Sequence, residues 1–376
     1  MRYLLITNDF YPNNIGGMTH YYTGIAEAFE PDSMVVLTVA ADKSTEKQLS
    51  CRVFRSTVSG SQSGTFFGKR RIRAEAYSIV EKEKIDVVLC GNVRPYGDIA
   101  YDIYKTYGLP YHIFFHGNDL MRIMARMDRY ILKRIVYSRM LNAARGFIAN
   151  SRYVMDLIPP QYKNDKSLIV LNPGVAKDFE NLSPEPPFRQ PETVRLLTVG
   201  RLVKRKGISQ VIGALSLLKN EYPGLIYDVV GGGDAAPYQA LAKSLEIEDR
   251  VFFHGFKSYE EVRHFFKYSD IFIMVSHASD KEKEVEGFGI VFLEANAYGK
   301  PVIGSATGGI EDAVLDGQTG LLVKNPFNEQ EIAEKISWLC NNKADAAAMG
   351  LSGHKRVNEQ FTYGVIAEKL RKLTTL

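Results

Sequence analysis

The sequence is poor in cysteine, in tryptophan and in long apolar runs. Its three cysteines, Cys51, Cys90 and Cys340, are scattered through 376 residues, odd in number and without CxxC spacing. That pattern excludes a disulfide framework and a zinc ribbon, and it fits a reducing cytosol. The seven histidines form no HExxH or similar ligand pattern, so no metal is expected. No apolar run reaches the roughly 18 residues of a membrane span. Arg2–Thr7 leads straight into the loop Asn8-Asp9-Phe10-Tyr11-Pro12, so a signal peptide is not expected. A strong overall charge is missing too. Residues 1–175 hold 23 Lys and Arg against 16 Asp and Glu, a net +7 in a chain whose total is +4, so the remainder carries −3. A basic N-terminal half suits an anionic partner or surface. With no uniform basicity and no RRM, KH or zinc-finger signature, nucleic acid is not an expected partner.

Short apolar runs alternate with longer helical patterns in both halves. The first half offers strands at Tyr3–Thr7, Ser33–Val39, Val87–Cys90, Tyr111–Phe115, Gly146–Ala149 and Leu168–Leu171. The second offers Arg195–Val199, Ile226–Val230, Val251–His254, Ile271–Val275, Pro301–Gly304 and Gly320–Val323. Near-continuous apolar strands suit parallel sheets covered on both faces, and the alternation predicts doubly wound α/β units. Pro184, Pro186, Pro187 and Pro191 mark a linker over residues 176–193. The expected organisation is a Rossmann-like domain over 1–175 and a second over 194–354, facing a central cleft. Ligands bind at the carboxyl ends of strands in such sheets.

The most telling stretch is Glu286-Gly287-Phe288-Gly289-Ile290-Val291-Phe292-Leu293-Glu294. A glycine-flanked turn opens an apolar helix that stops at Gly299-Lys300-Pro301. The N-terminus of such a helix suits an anion, and the glycines admit close backbone approach. Glu286 and Glu294 could pair as hydrolase carboxylates. Eight residues along a helix, however, separate them by about 12 Å, beyond the ~5–9.5 Å of glycosidases. Two separate ligand contacts fit better.

Arg201 and Lys206 straddle a turn at the end of the first strand of the second half. They offer a cationic grip for a diphosphate, or simply a solvated basic loop. Gly16-Gly17 closes the loop after the first strand, as a phosphate contact or as a tight turn opening a helix. Gly231-Gly232-Gly233-Asp234 fails the G-x-G-x-x-G spacing and reads as a turn able to line a nucleotide pocket through Gly232 and Asp234. His116-Gly117 ends another strand, facing a site or serving structure equally well.

In this order the motifs resemble the family-4 retaining glycosyltransferases of the GT-B fold. The resemblance runs through Asp9–Pro12 with Gly16-Gly17, His116-Gly117, Asn150-Ser151, Asn172–Val175, Gly200–Leu202 with Lys206-Gly207, Gly231–Asp234 and Glu286–Glu294. It implies a nucleotide-diphosphate sugar donor, no metal, and these roles. Arg201 and Lys206 hold the diphosphate, with Gly16 and Gly17 touching it or the acceptor. Glu286 binds sugar hydroxyls, and the backbone of Gly287, Phe288, Gly289 and Ile290 meets sugar and phosphate. Glu294 binds the ribose, and His116 faces the transferred sugar. A C-terminal helix over about 355–376 is implied to pack back on the first domain.

Closest in character are bacterial mannosyltransferases acting on lipid-anchored acceptors in cell-envelope polysaccharide or glycolipid synthesis. GDP-mannose or a UDP-hexose is the implied donor, and a lipid-linked or glycan acceptor the second substrate. Departures fall in loops: Ala176 stands where the family often has an acid, Ser276–Asp280 lacks a frequent Arg, and Ile310-Glu311 lacks a Pro. A sugar-nucleotide epimerase or phosphorylase of the same architecture, or a non-catalytic nucleotide-binding module, stays open.

Arg122, Arg126, Arg129 and Lys133, spaced four, three and four apart, line one face if Leu120–Leu141 is a single helix. Lys69-Arg70-Arg71-Ile72-Arg73 follows Phe66 and Phe67. Both runs suit docking on the inner, anionic face of the cell membrane, or an ordinary solvated helix face.

Overall fold

The computed structural model describes residues 1–13, 16–41, 49–190, 192–278 and 284–374. These fall into two compact units, Met1–Ala176 with Tyr363–Leu376, and Lys177–Thr362. Unit 1 is built on seven parallel strands. In spatial order they are Arg52–Arg55, Met34–Thr38, Tyr3–Ile6, Val87–Cys90, Tyr111–Phe115, Gly146–Ala149 and Ser167–Val170. Unit 2 has six: Val251–Phe253, Leu225–Val230, Val194–Val199, Ile271–Met274, Val302–Ser305 and Gly320–Val323. Every pairing is parallel. Inner strands such as Tyr3–Ile6 and Ile271–Met274 are buried along their whole length, as a sheet covered on both faces requires.

Strand order reverses beside Tyr3–Ile6 in unit 1 and beside Val194–Val199 in unit 2. Loops leaving neighbouring strands diverge at such a point and leave a crevice at the carboxyl edge. The segments after these strands, Thr7–Phe10 and Gly200–Gly207, start at those crevices.

Several expectations need correction. The strand Arg52–Arg55 was not anticipated; Arg-Val-Phe-Arg carries no apolar run because it lies at a sheet edge, half-exposed. The proline-rich stretch is not a free linker. Phe179 is buried against Tyr259, Phe266 and Tyr298. The Glu185 N–H donates to the Tyr298 carbonyl at 2.9 Å, and the Phe188 N–H to Asp270 at 2.5 Å, so the stretch is bound to unit 2. Pro191 lies outside the described residues.

The terminal helix is two helices, Lys343–Gln360 in unit 2 and Tyr363–Thr374 in unit 1. Only the second lies on the first domain. Its Tyr363, Ile366, Ala367 and Leu370 join the core formed by Tyr3, Leu5, Phe10 and Tyr21. The basic helix is also broken: Tyr130 is extended, at φ −130° and ψ 113°. Arg122, Arg126 and Arg129 sit on Asn118–Arg129, whereas Lys133 belongs to Ile131–Ala143.

Candidate active site

In unit 2 the chain leaves Val199 through Gly200-Arg201 and tightens into a single 3₁₀ turn, Lys204–Lys206. Gly207 ends the turn at φ +74°, a left-handed conformation that favours glycine. The turn sends Arg205 and Lys206 inward. Lys206 Nζ lies 2.6 Å from Glu286 Oε2 and 3.4 Å from the sulfur of Met274. Arg205 reaches the same carboxylate oxygen at 3.2 Å through one nitrogen and Glu284 at 3.2 Å through another. The Glu286 side chain is 16% exposed and those of Arg205 and Lys206 10% and 12%, so this ion cluster is largely withdrawn from water. Burial acts to raise the Glu286 carboxyl, but the two cations overcome it and hold the group below the usual carboxylate range. Arg201 is exposed on the same segment.

The backbone around Glu286 is fixed as tightly as its side chain. Its carbonyl accepts from the Gly309 N–H at 2.9 Å. Gly289 then turns the chain at φ +90° into the helix Ile290–Ala297. That helix is apolar almost all round, so it is buried (Phe292, Leu293, Ala295 and Ala297 have no exposure), and Glu294 is its only charged residue. Burial pushes the Glu294 carboxyl up to about 7, with the Tyr259 hydroxyl opposing the shift. Tyr259 opens the helix Tyr259–Tyr268, whose start is set by a capping box between Ser258 and Glu261. The phenyl ring of Phe288 is buried and faces Phe361, so its backbone is what it offers to a ligand.

The glycine turn after Leu225–Val230 contacts the first turn directly. The Leu202 N–H donates to the Gly232 carbonyl at 2.9 Å. At Gly231, φ +152°, a Cβ would stand 1.9 Å from the Gly200 carbonyl oxygen, so no other residue fits there. The Asp234 carboxylate accepts from the Ala236 N–H at 3.0 Å, just ahead of the helix Ala236–Ser244.

Unit 1 holds His116. The ring is packed edge-on against Tyr21 and Tyr22, with centroids 5.6 and 5.5 Å away. The Tyr22 hydroxyl donates to the Gly91 carbonyl and lies 2.5 Å from His116 Nε2. A hydroxyl has one proton and a carbonyl can only accept, so His116 must donate from Nε2. Its Nδ1 is thereby left as an acceptor. Burial lowers the ring pKa to about 4, so this neutral tautomer prevails at pH 7. Asp119 steadies the turn by accepting from the His116 and Leu120 N–H groups, each at 2.9 Å.

Beside it, Asn92 ties the loop together. Its side-chain oxygen accepts from Thr7 at 2.8 Å and from the Asn8 N–H at 2.7 Å, and its NH₂ donates to Asp9 at 2.8 Å. Gly16 is extended at φ −171° and precedes the helix Gly17–Glu27, so the Gly16-Gly17 pair opens a helix without a left-handed turn.

Unit 2 therefore unites Lys206 and Glu286, with Glu294 eight residues further on in the helix Ile290–Ala297, and adds Arg205 and Tyr259, which sequence reasoning missed. Lys204-Arg205-Lys206 reads as three solvated cations; only the 3₁₀ turn reveals which of them point inward. Tyr21 and Tyr22 were likewise missed, although adjacent tyrosines on a helix that follows paired glycines were a visible signal. Ser279 and Asp280, in a loop that departs from the family pattern, lie outside the described residues.

Two doubly wound parallel sheets, with an inward cation–carboxylate cluster at the carboxyl edge of the second, define a glycosyltransferase of GT-B architecture. The model "Glycosyltransferase Family 4" matches residues 15–179, and "Glycosyl transferases group 1" matches residues 180–356. The chain belongs to the family-4 glycosyltransferases. It is 30% identical to the GDP-mannose-dependent α-(1-6)-phosphatidylinositol monomannoside mannosyltransferases of Mycobacterium tuberculosis and Mycolicibacterium smegmatis. The matches cover 68% and 69% of this chain and 66% and 68% of those relatives, so they span about two thirds of their length. An amylovoran biosynthesis glycosyltransferase of Erwinia amylovora is 27% identical over 69% of this chain and 63% of its own. In fold, the chain matches the Anabaena protein HepE in complex with UDP at a TM-score of 0.77 and 19% identity, over all of both chains.

Proposed function

We propose that this protein transfers a hexose, with retention, from a nucleoside-diphosphate sugar to a lipid-linked acceptor of the cell envelope, and that GDP-mannose is the donor. The buried Lys206–Glu286–Arg205 cluster at a strand's carboxyl end carries the reading. It offers a cation for a diphosphate and a carboxylate for sugar hydroxyls within one side-chain length of each other. The choice of mannose and of a lipid acceptor rests on the likeness to the mycobacterial enzymes. The resemblance to the Erwinia protein keeps a glycan acceptor next in line.

In this reading Lys206 and Arg201 grip the diphosphate, helped by the N-terminal dipole of Ile290–Ala297. Glu286 and the backbone of Gly287–Ile290 take the sugar, and Glu294 the ribose. His116 receives a hydroxyl on Nδ1. The acceptor oxygen attacks the anomeric carbon on the face the diphosphate leaves. The bond to the diphosphate oxygen breaks as the new glycosidic bond forms, and that oxygen takes the acceptor's proton. No metal is needed to neutralise the leaving group. The protein would work in the cytoplasm, on the inner face of the membrane that holds its acceptor.

A nucleotide-sugar screen by thermal shift tests the donor. At about 100 times its Kd the true donor adds ~2.7 kcal/mol of stability. Transfer should then persist in EDTA and give a product with the donor's anomeric configuration. Stabilisation by none of the GDP- and UDP-hexoses, or inversion, would overturn the reading.

Glu294 supplies a second test. With its carboxyl at about 7 in the free protein, the group is half protonated at pH 7. Ribose hydroxyls donating to the carboxylate favour ionisation, so donor binding at pH 7 should release about half a proton. Calorimetry in buffers of different ionisation enthalpy measures this, and Glu294→Gln should abolish it. For folding the sign is opposite, because the chain takes up this proton as it folds: the contribution of the raised carboxyl is fully present below the ordinary carboxylate pKa and is lost as pH rises through about 7.

A further inference from the structure

Tyr21 and Tyr22 follow each other on the helix Gly17–Glu27 and are both fully buried, yet their hydroxyls do different things. Tyr21 donates to the Leu171 carbonyl at 2.8 Å, an ordinary tie between a helix and the end of a strand. Tyr22 instead stands between the Gly91 carbonyl and His116 Nε2. Gly91 follows the strand Val87–Cys90, and its N–H donates to the Ile6 carbonyl at 2.9 Å, so the carbonyl that Tyr22 meets belongs to a fixed backbone. A Cβ at Gly91 would lie 2.9 Å from Thr7 Cβ and 3.1 Å from Tyr22 Cζ, so glycine lets the phenol approach. The three groups form a one-way chain, imidazole N–H to phenol oxygen and phenol O–H to carbonyl. Each bond of such a chain polarises the next and strengthens it. Burial raises the phenol well above its ordinary range, so it keeps the proton the chain requires.

The other ring nitrogen has no such partner. Among the described residues no group bonds to His116 Nδ1, and a ring nitrogen without a proton can only accept. The charged groups beside the ring leave this unchanged. Asp9 favours the imidazolium, but burial outweighs it. One Asp119 oxygen is already shared by two backbone N–H groups. An acceptor placed here can take an O–H from a ligand. It gains nothing from an atom that has lone pairs only.

We propose that Tyr22 is a positioning residue of hexosyl transfer: it holds His116 in the Nε2–H form, reserves Nδ1 for one hydroxyl of the transferred sugar, and so selects donors that carry a free O–H at that position. The inference rests on the transfer reading above, in which His116 faces the sugar, and adds which sugars the site accepts. Tyr22 touches no substrate itself. Without its hydroxyl, Nε2–H has no acceptor and the ring proton is free to move to Nδ1. The imidazole would then present a donor to the sugar where it had presented an acceptor.

The test uses the full chain, the better-binding of GDP-mannose and UDP-glucose, and the monodeoxyfluoro analogues of that donor, one for each free hydroxyl of the hexose. Carbon-bound fluorine can accept weakly but cannot donate. Calorimetry should find one analogue bound about 10–100-fold more weakly than the parent by the wild type, the usual cost of leaving one buried acceptor unpaired. In Tyr22→Phe that penalty should shrink at least ten-fold. Long-range ¹⁵N–¹H NMR of the donor-free protein at pH 7 should show His116 as the Nε2–H form alone, with Nδ1–H appearing in Tyr22→Phe. Tyr3→Phe removes another buried hydroxyl of unit 1, one that pairs with Thr374, and should change neither the ring signals nor the fluorine penalty. A wild-type ring protonated on Nδ1, an unchanged fluorine penalty in Tyr22→Phe, or the same change in Tyr3→Phe would overturn the proposal. If no nucleoside-diphosphate hexose binds, the transfer reading fails, and the ring signals still decide whether Tyr22 sets the tautomer. If donors bind and fluorine matters at no position, only the present proposal fails.

Discussion

Replacing Lys206 by alanine lowers kcat/KM for hexosyl transfer by about 10²–10³-fold, the cost of removing one group that stabilises developing charge. The reason lies in where the charge goes. In the proposed reading the diphosphate gains negative charge as the glycosidic bond breaks, and Lys206, largely buried, would be the cation that meets it. In the free protein that ammonium is held by Glu286 at 2.6 Å, so the donor must draw it away. Arg205 makes this exchange tolerable, because Glu286 keeps a cation at 3.2 Å when Lys206 turns to phosphate. Steady-state kinetics with saturating acceptor reads the effect. Loss of less than ten-fold would remove Lys206 from the diphosphate. The same variant should unfold only about 1.5–3 kcal/mol more easily, the worth of a hydrogen bond to a charged group, since Arg205 still pairs with the carboxylate.

Glu286→Ala damages the fold as well as the reaction. Removing the carboxylate strands the largely buried Lys206 and leaves Arg205 with Glu284 alone, and breaking a buried pair from one side costs about 3–5 kcal/mol. For a unit the size of Lys177–Thr362 each kcal/mol is worth about 2–4 °C in Tm. Differential scanning calorimetry should therefore rank Glu286→Ala well below Lys206→Ala in stability, while both lose transfer. The pH dependence has the opposite sign from that of Glu294. A carboxyl held below its ordinary value stabilises above that value, and the contribution disappears as pH falls through the lowered pKa. Acid unfolding of Glu286→Ala should thus lack part of the steepness seen in the wild type. Equal melting of the two variants would show that Arg205 and Lys206 find other partners.

Parallel strands were legible because their apolar runs are continuous and bounded by turn residues. Arg52–Arg55 escaped because edge position removes the need for that pattern. The break at Tyr130 left no sign of its own: neither glycine nor proline marks it, and the arginine spacing runs across it undisturbed. At the site, Glu286, Lys206 and the Gly289 turn could be found from residue type and spacing. Arg205 could not, since whether a cation in a basic triplet is buried depends on one 3₁₀ turn.

The helix Tyr363–Thr374 has a consequence for biosynthesis. Unit 1 is translated first, yet Tyr363, Ile366, Ala367 and Leu370 of its core come from residues made after all of unit 2. Gly24 leaves no room for a side chain against the Tyr363 ring, so the seat for this helix is shaped early and filled late. Domains emerging from a ribosome generally fold in N-terminal order. Here the first unit must wait, with an apolar groove uncovered, until the second has been synthesised. Truncation before Tyr363 would leave that groove open for good, and it would harm the half of the molecule farther away in sequence.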